Sequence, residues 1–410
     1  MAGRTSLYLP FILAAAVILC YAAVSLPSTF NPIRIASSSD GLNHLQSSPQ
    51  QNPRRTTTIE AIYQFGDSMS DTGNFIREHP TSNFANSPYG LTFFHKPTGR
   101  CSDGLLIIDY FSRFFKLPFL DPYHNREGNF THGVNFAVAA ATAMNCSTLA
   151  MKDIKNCPTN SSLLVQLDWF KSHLHSICST ASECKEKLAT ALIMMGEIGG
   201  NDYNWAFFQG NPIEDIYKMV PEVVQVIKET IKEVINLGAI RIVVPGNFPI
   251  GCMTCYLDMF KTNDASKYDE LQCLKHLNAF AVFHNNQIQQ AIGEIQEDYP
   301  YVTIVYADYY TALREILRNA TSLGFDKDVM QIACCDHCGS KRGPICEHPY
   351  KHVSWDGIHL TQHVYQLMAE WLIEHTHSNI FHDNISSVKR LNYSFPLIIF
   401  ISLVIFICLG

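Results

Sequence analysis

Short apolar runs and longer helical stretches alternate along the middle of the chain. Four short runs are followed closely by Gly, Pro or Asp and are predicted to be strands: residues 59–65, 191–195, 240–244 and 302–306. Residues 213–237 carry apolar side chains at helical spacing and stop at Gly238, and residues 268–299 form a second helical stretch before Pro300. Such alternation predicts an α/β fold, with a parallel sheet covered by helices on both faces.

A turn rich in Gly, Asp and Ser follows the first predicted strand. It reads F-G-D-S-M-S-D-T-G-N over residues 65–74, so Ser68 stands just beyond the strand. At this position in α/β enzymes a serine hydroxyl can act as a nucleophile, and its own N–H can bind a developing oxyanion. The alternative is a serine that caps a helix, since Ser, Thr and Asp are common in such turns.

A serine nucleophile needs a base, and the segment W-D-G-I-H-L-T at residues 355–361 offers one. The spacing of Asp356 and His359 lets the carboxylate reach Nδ1 of the imidazole while Nε2 faces outward. The two residues could instead cap the last predicted helix, residues 361–375.

Two further segments offer groups that stabilise an oxyanion. G-E-I-G-G-N-D-Y at residues 196–203 follows a predicted strand, and the Asn201 side-chain amide can donate there. A plain turn is the alternative for this segment. G-V-N-F-A-V-A-A-A-T-A at residues 133–143 could bring backbone N–H groups near a bound carbonyl, but taken alone its small residues favour tight packing.

In this order, the four segments resemble the GDSL esterase/lipase family of the SGNH hydrolase superfamily. The resemblance covers residues 59–377 and includes G-N-F-P-I-G-C at 246–252 and A-C-C at 333–335, which are typical of the plant branch. Within that branch the chain is similar to the subgroup of acetylajmalan and sinapine esterases. The resemblance implies a single-domain, flavodoxin-like, three-layer α/β/α sandwich with a central parallel sheet.

The resemblance also implies a role for each candidate residue. Ser68 matches the nucleophile, His359 the general base and acid, and Asp356 the residue that orients His359. The oxyanion donors are the backbone N–H groups of Ser68 and Ala140 and the side-chain amide of Asn201. The family usually has glycine at position 140, so we expect the alanine methyl to narrow the oxyanion pocket without abolishing activity. A positive φ would be unfavourable for this alanine.

The implied activity is that of a serine esterase that hydrolyses a carboxylic ester through an acyl-Ser68 intermediate, without a metal or other cofactor. The subgroup suggests a small acyl ester, such as an acetyl ester, of a plant specialised metabolite such as an alkaloid. The alternatives are lipase action on acylglycerols, transacylation to an alcohol, and an inactive surface protein that binds a ligand. We expect a small-molecule ester as the partner and a monomeric chain.

Aromatic residues follow two of the candidate site residues, Ser68 and Asn201, along the sequence. Trp205, Phe207 and Phe208 follow Asn201. Tyr89, Phe93 and Phe94 lie in a loop after Ser68. These side chains could line a substrate pocket, but aromatic residues belong more often to the core.

Composition agrees with a compact enzyme. The chain has 410 residues, of which 47% are hydrophobic, enough for one large core. The net charge of −7 gives no argument for a nucleic-acid partner.

Three segments lie outside the predicted hydrolase domain, residues 59–378. Residues 1–25 indicate a secretory signal peptide, with an uncleaved signal anchor as the alternative, and residues 26–58 indicate a disordered linker or pro-segment. Residues 379–410 contain an apolar run, 395–409, that is shorter than the about 20 residues of a bilayer-spanning helix. This tail resembles a weak GPI-attachment signal; a marginal membrane anchor and a surface-packed extension are the alternatives. The product is expected in the secretory pathway, in the apoplast or vacuole, and the tail is a candidate for membrane attachment.

Cysteine usage also favours the secretory route, because twelve of the fourteen cysteines lie between the end segments and an even number suggests disulfides. One cluster has spacing similar to a zinc site, although an oxidising compartment favours disulfides for its cysteines: Cys334, Cys335, His337, Cys338, Cys346 and His348. Cys252 and Cys255 are interpreted as structural. Sequons predict glycosylation at Asn129, Asn145, Asn160, Asn319, Asn384 and Asn392.

Overall fold

The structure is a computed structural model that describes residues 58–340 and 343–380. The strands in these residues are β1 (Ala61–Gln64), β2 (Gly133–Asn135), β3 (Ala191–Met194), β4 (Arg241–Pro245) and β5 (Thr303–Ala307). The helices are α1 (Phe75–Glu78), α2 (Ile107–Phe114), α3 (Cys146–Ala150), α4 (Leu163–Ile177), α5 (Ala181–Ala189), α6 (Gly200–Phe208), α7 (Ile213–Leu237), α8 (Thr254–Met259), α9 (Lys275–Asp298), α10 (Tyr309–Arg318) and α11 (Gln362–Ile380).

The five strands form one parallel sheet in the order β2-β1-β3-β4-β5. Helices α4 and α9 pack against α7, whereas α2 and α10 pack against α11, and both α9 and α11 contact β5. The sheet therefore lies between two groups of helices, which confirms the predicted three-layer α/β/α fold with a parallel sheet.

Strand β2 was not among the predicted strands. It has three residues, and its pairing with β1 requires glycine at its first position. Gly133 has φ of +112°, and a Cβ there would lie 1.7 Å from the carbonyl oxygen of Ile62. The edge strand is thus defined by close backbone approach and not by an apolar run.

The helix predicted over residues 268–299 begins later than expected, at Lys275. Residues 265–267 form a 3₁₀ turn, and Tyr268 pairs with Leu274 in an isolated antiparallel bridge. A disulfide from Cys273 to Cys252 also lies in this stretch. By contrast, α7 has the predicted bounds and continues through Pro221.

Parallel strands bring their carboxyl ends to one edge of a sheet, where α/β folds place their ligand sites. Beyond this edge β1 leads to Ser68, β2 leads to the segment 136–144, and β3 leads to the turn before Asn201. The segment that contains Asp356 and His359 directly precedes α11.

Four disulfides are formed in the described residues: Cys178–Cys184, Cys252–Cys273, Cys334–Cys346 and Cys335–Cys338. The cysteines with zinc-like spacing are therefore paired with one another, as the disulfide interpretation predicted. Cys255 is a free thiol, so the pair spaced like a redox motif, Cys252 and Cys255, is not a disulfide.

The predicted signal peptide, nearly all of the linker and most of the tail lie outside the described residues, as do Asn384 and Asn392. Of the remaining sequons, Asn129, Asn145 and Asn160 are exposed, whereas Asn319 is half-buried and donates its amide to the Glu315 carbonyl. Within the described part of the chain, none of the helices has the length and hydropathy that crossing a bilayer requires.

Candidate active site

Ser68, His359 and Asp356 form a continuous chain of hydrogen bonds. The Ser68 Oγ lies 2.8 Å from Nε2 of His359, and Nδ1 of the same ring lies 2.7 Å from Oδ2 of Asp356. Ser68 is 6% exposed and His359 is 4% exposed. The structure thus brings together the three residues that sequence reasoning selected, in the arrangement by which a histidine removes a serine proton.

The turn that carries Ser68 is held by its neighbour Asp67. The Asp67 carbonyl accepts from the N–H groups of Ser70 and Asp71, and its Oδ1 accepts from the N–H of Met69 at 2.9 Å. Gly66 precedes this turn with φ of +132°, and a Cβ there would lie 3.0 Å from the Glu197 carbonyl oxygen. Ser68 therefore lies in a single helical turn; the next helix, α1, begins only at Phe75.

The Asp356 carboxylate shapes the loop that presents His359. Its Oδ1 accepts from the backbone N–H groups of Ile358 and His359, at 3.1 and 2.8 Å. The Trp355 N–H donates to the His359 carbonyl at 2.7 Å, which closes the loop. One carboxylate thus fixes both the backbone and the ring of the histidine.

Tyr89 makes a contact to this carboxylate that the sequence did not predict. Its hydroxyl donates to Oδ2 of Asp356 at 2.8 Å, on the oxygen that also receives the His359 ring. Phe84 meets the His359 ring edge-on at 5.7 Å between centroids. The position of Tyr89 in the loop after Ser68 indicated proximity to the site, but gave no sign of this bond.

Burial works to raise the pKa of Asp356, but the opposite effect is larger. The charge of the His359 ring and the hydrogen bonds from His359 and Tyr89 lower the pKa to about 2. Asp356 is therefore ionised at neutral pH and can stabilise an imidazolium that forms beside it.

The two backbone N–H groups that the sequence analysis selected as oxyanion donors, those of Ser68 and Ala140, have no intramolecular acceptor in the described part of the chain. Ala140 has φ of +67°, in the left-handed region that favours glycine. The alanine thus adopts the backbone conformation that the sequence analysis named as unfavourable, and its N–H remains available as a donor.

The segment around Ala140 is held at both ends by buried side chains. Asp71 Oδ2 accepts from the Ala139 N–H at 2.8 Å. Asp202 accepts from the N–H groups of Ala143 and Met144, at 2.7 and 3.0 Å. Because carboxylates fix its flanks, the Ala140 N–H has a defined direction before any substrate binds.

Comparison with known proteins agrees with this geometry. The family model described as GDSL-like Lipase/Acylhydrolase matches residues 62–372. The chain belongs to this family. Acetylajmalan esterase 1 of Rauvolfia serpentina is 42% identical over 330 residues, which cover 77% of this chain and 86% of the relative. A GDSL esterase/lipase of Arabidopsis thaliana is 43% identical over 332 residues, covering 77% of this chain and 85% of the relative. The chain is therefore a carboxylic ester hydrolase of the GDSL type.

In this GDSL hydrolase the Asn201 amide lies close to the turn that carries Ser68, but it already makes two hydrogen bonds. Its Nδ2 donates to Oδ2 of Asp67 at 2.9 Å and to the Ala141 carbonyl at 3.0 Å, and its Oδ1 accepts from Asn204. Donation to an oxyanion therefore requires one of these two bonds to be shared or released.

The Asn201 amide donates to Asp67, which forms a buried carboxyl pair with Glu197. Neither carboxyl residue was among the candidates selected from the sequence. Burial first, and the adjacent Glu197 carboxylate second, raise the pKa of Asp67 well above its usual value. Asp67 is thus the partner that keeps a proton and donates to Glu197. The proton-bearing Asp67 links the Ser68 turn to Asn201.

The aromatic candidates divide between core and surface in the GDSL hydrolase. Phe207 is buried against Tyr256, Phe260 and Phe280, which makes it core, while Trp205 and Phe208 are half-buried. Phe93 and Phe94 pack on Phe119 and on the guanidinium groups of Arg113 and Arg100. These contacts account for Phe93, Phe94 and Phe207 without a role in substrate binding.

Proposed function

We propose that this GDSL hydrolase cleaves a carboxylic ester with a small acyl group, such as acetyl, through an acyl-Ser68 intermediate. The alcohol part is a plant specialised metabolite such as an alkaloid. The observation that carries the proposal is the chain of hydrogen bonds from the Ser68 hydroxyl through His359 to Asp356. The backbone N–H groups of Ser68 and Ala140, which have no acceptor among the described residues, support it.

The first half-reaction acylates the serine. Ser68 Oγ attacks the ester carbonyl carbon while His359 Nε2 takes the hydroxyl proton, and Asp356 stabilises the resulting imidazolium. The oxyanion lies against the N–H groups of Ser68 and Ala140, with Asn201 as a third donor once its amide is shared. The tetrahedral intermediate collapses as the C–O bond to the alcohol breaks, and the alcohol leaves with the proton from His359.

The second half-reaction releases the acid. A water molecule loses a proton to His359 and attacks the acyl-Ser68 carbonyl, and the Ser68 oxygen then leaves and takes the proton back. An alcohol in place of this water would give transacylation by the same steps, so exclusion of water decides between the two outcomes.

Two observations support a small acyl group. Ser68 and His359 are almost fully buried, so little of either side chain is accessible to a bulky acyl group. The methyl of Ala140 stands where the family usually has glycine, beside the N–H that faces the carbonyl oxygen. The acetylajmalan esterases among the relatives support acetyl as the acyl group.

Labelling with a fluorophosphonate probe tests the nucleophile. We expect the purified protein to be labelled at Ser68 and the Ser68→Ala variant to lose both labelling and esterase activity. Ser70→Ala is the matched control, since Ser70 lies in the same turn and is also buried. A folded wild-type protein that resists the probe would support the inactive ligand-binding alternative.

A panel of esters then tests the substrate class. We expect acetyl esters of alkaloid-like alcohols to give the highest kcat/KM, followed by a sinapoyl ester and then by long-chain acylglycerols. Preference for acylglycerols would support the lipase alternative. An ester product formed with an added alcohol, in place of free acid, would identify a transacylase.

We also propose that the enzyme is a secreted, glycosylated monomer that is attached to the membrane through residues 379–410. The four disulfides support an oxidising compartment, and three exposed sequons are accessible to glycosylation.

A further inference from the structure

Four cysteines in the described residues are free thiols: Cys101, Cys146, Cys157 and Cys255. Cys101 is buried in the core, and Cys255 lies in α8, where its N–H donates to the Gly357 carbonyl. Cys146 and Cys157 are half-buried, and their thiols are in hydrogen-bonding contact with each other. Two of the four free thiols are therefore neighbours.

A second contact places the same two segments side by side. Cys146 opens α3, and its Sγ donates to the carbonyl of Thr159 at 3.1 Å. Thr159 is two residues beyond Cys157, so the Cys146 side chain contacts this segment at both Cys157 and Thr159.

We propose that Cys146 and Cys157 form a fifth disulfide in the mature protein. The other eight cysteines of the described residues are already oxidised, so the same conditions act on this pair. Unlike the buried Cys101, both thiols are partly exposed and accessible to an oxidant.

The oxidant is a disulfide of low molecular weight, such as glutathione disulfide, or a protein disulfide of an oxidoreductase. The Cys146 thiolate attacks one sulfur of that disulfide, and the first leaving thiolate departs as a mixed disulfide forms on Cys146. Cys157 then attacks Cys146 Sγ and displaces the second leaving thiolate. Two protein thiols are oxidised, one external disulfide is reduced to two thiols, and the two protein protons go to the leaving thiolates.

The bridge would stabilise the part of the active site that carries Ala140. Met144, two residues before Cys146, already donates its N–H to Asp202. Thr159 and Ser161, which follow Cys157, donate their hydroxyls to Glu78. A covalent link between these segments therefore ties the end of the segment 136–144, which contains Ala140, to the start of α4.

Cysteine mapping of the full chain, produced through a eukaryotic secretory pathway, tests the bridge. The protein is denatured and alkylated without reductant, digested, and analysed by mass spectrometry before and after reduction. We expect alkylated Cys101 and Cys255, and one peptide pair joined through Cys146 and Cys157 that separates on reduction. Quantitative alkylation of Cys146 and Cys157 would overturn the proposal, and so would a mixed disulfide or another partner on either residue.

Thermal unfolding provides a second test. We expect Cys146→Ala, Cys157→Ala and the double variant to lower Tm by the same several degrees, because each removes one bridge. Cys255→Ala, which removes a free thiol, is the control and should keep the contribution of the Cys146–Cys157 bridge to Tm. Additive losses from the two single variants would contradict a shared bond.

Discussion

Ala140 holds a backbone conformation that costs an alanine about 1–2 kcal/mol, because its φ of +67° brings Cβ close to the backbone. Glycine adopts the same conformation without that cost but loses about 0.4–1 kcal/mol through its greater freedom when unfolded. We therefore expect Ala140→Gly to raise the free energy of unfolding by up to about 1 kcal/mol. Without the methyl, kcat/KM for bulkier acyl esters should rise relative to acetyl esters. Urea unfolding and a homologous ester series measure the two effects.

Ala141→Gly is the matched control for this prediction. Ala141 is adjacent and buried, and its φ is not positive, so glycine there brings only its cost of about 0.5–1 kcal/mol. Equal destabilisation by the two variants would show that the left-handed backbone at position 140 carries no strain.

Tyr89 competes with the His359 ring for one oxygen of Asp356, since both donate to Oδ2. In Tyr89→Phe that oxygen keeps more of its negative charge for the ring, so the imidazolium is stabilised more strongly. We expect the acid limb of the kcat/KM profile to move to higher pH by up to about half a unit, with KM little changed.

The control for the tyrosine variant is Tyr203→Phe. It also removes a buried hydroxyl, but one that bonds His284 and not the Asp356 carboxylate. An acid limb that stays in place in Tyr89→Phe, or moves equally in both variants, would mean that Tyr89 acts only through packing.

At the scale of elements, the sequence predicts the strands whose signal is local. Strands β1, β3, β4 and β5 are apolar runs that end at turn residues, and α7 carries a helical stripe that ends at Gly238. Strand β2 is too short for such a pattern, and its signal is one glycine that allows backbone contact with Ile62. The start of α9 was misplaced because a bridge and a disulfide, which are tertiary contacts, interrupt an otherwise helical sequence.

The same distinction applies to the candidate site. Ser68, Asp356, His359 and Asn201 stand in short motifs at the ends of elements, so their types and spacing were visible in the sequence. The bond of Tyr89 to Asp356 joins residues 267 positions apart, and the Asn201 amide is directed by a buried carboxyl pair. Such contacts depend on how loops pack against each other, which no local pattern encodes.

Asp202, in the first turn of α6, connects that helix to the segment 136–144, because it accepts from the N–H groups of Ala143 and Met144. It also makes the stability of the protein depend on pH. Burial raises the pKa of Asp202 to about 7, although three backbone N–H groups, those of Met144, Ala143 and Asp202 itself, oppose the shift. In the unfolded chain Asp202 loses its proton near the ordinary pKa of 3.8. At a pH between the two pKa values, the folded state therefore binds one more proton than the unfolded chain. The stability that this extra proton gives the folded state is therefore fully present below about pH 4 and is lost as pH rises through about 7.

Asp202→Asn should remove this slope. The variant loses one acceptor and is less stable at pH 4.5, but the difference should shrink as pH rises, by on the order of 1 kcal/mol per pH unit. Urea unfolding of both proteins between about pH 4.5 and 7.5 measures it, and other titrating groups cancel in the comparison. A difference that is constant with pH would show that Asp202 is ionised throughout this range.

At the scale of the whole molecule, the apolar run 395–409 lies beyond the residues that the family model matches and outside those that the structure describes. Its fifteen residues would extend about 22 Å as a helix at about 1.5 Å per residue, short of the about 30 Å hydrocarbon core of a bilayer. A GPI signal needs an apolar stretch of only about 10–20 residues, because the stretch is removed when the lipid is attached.

We therefore expect the full chain, produced in plant cells, to stay with the membrane fraction and to be released by phosphatidylinositol-specific phospholipase C. Replacing Leu403 and Val404 together by Asp should prevent attachment, because charges in the apolar run weaken its recognition as a signal, whereas the matched double Ala variant should remain attached. Retention that resists the phospholipase would indicate an uncleaved anchor. Activity found entirely in the medium for the wild type would indicate that the run packs on the surface or does not direct attachment, and would refute the GPI assignment.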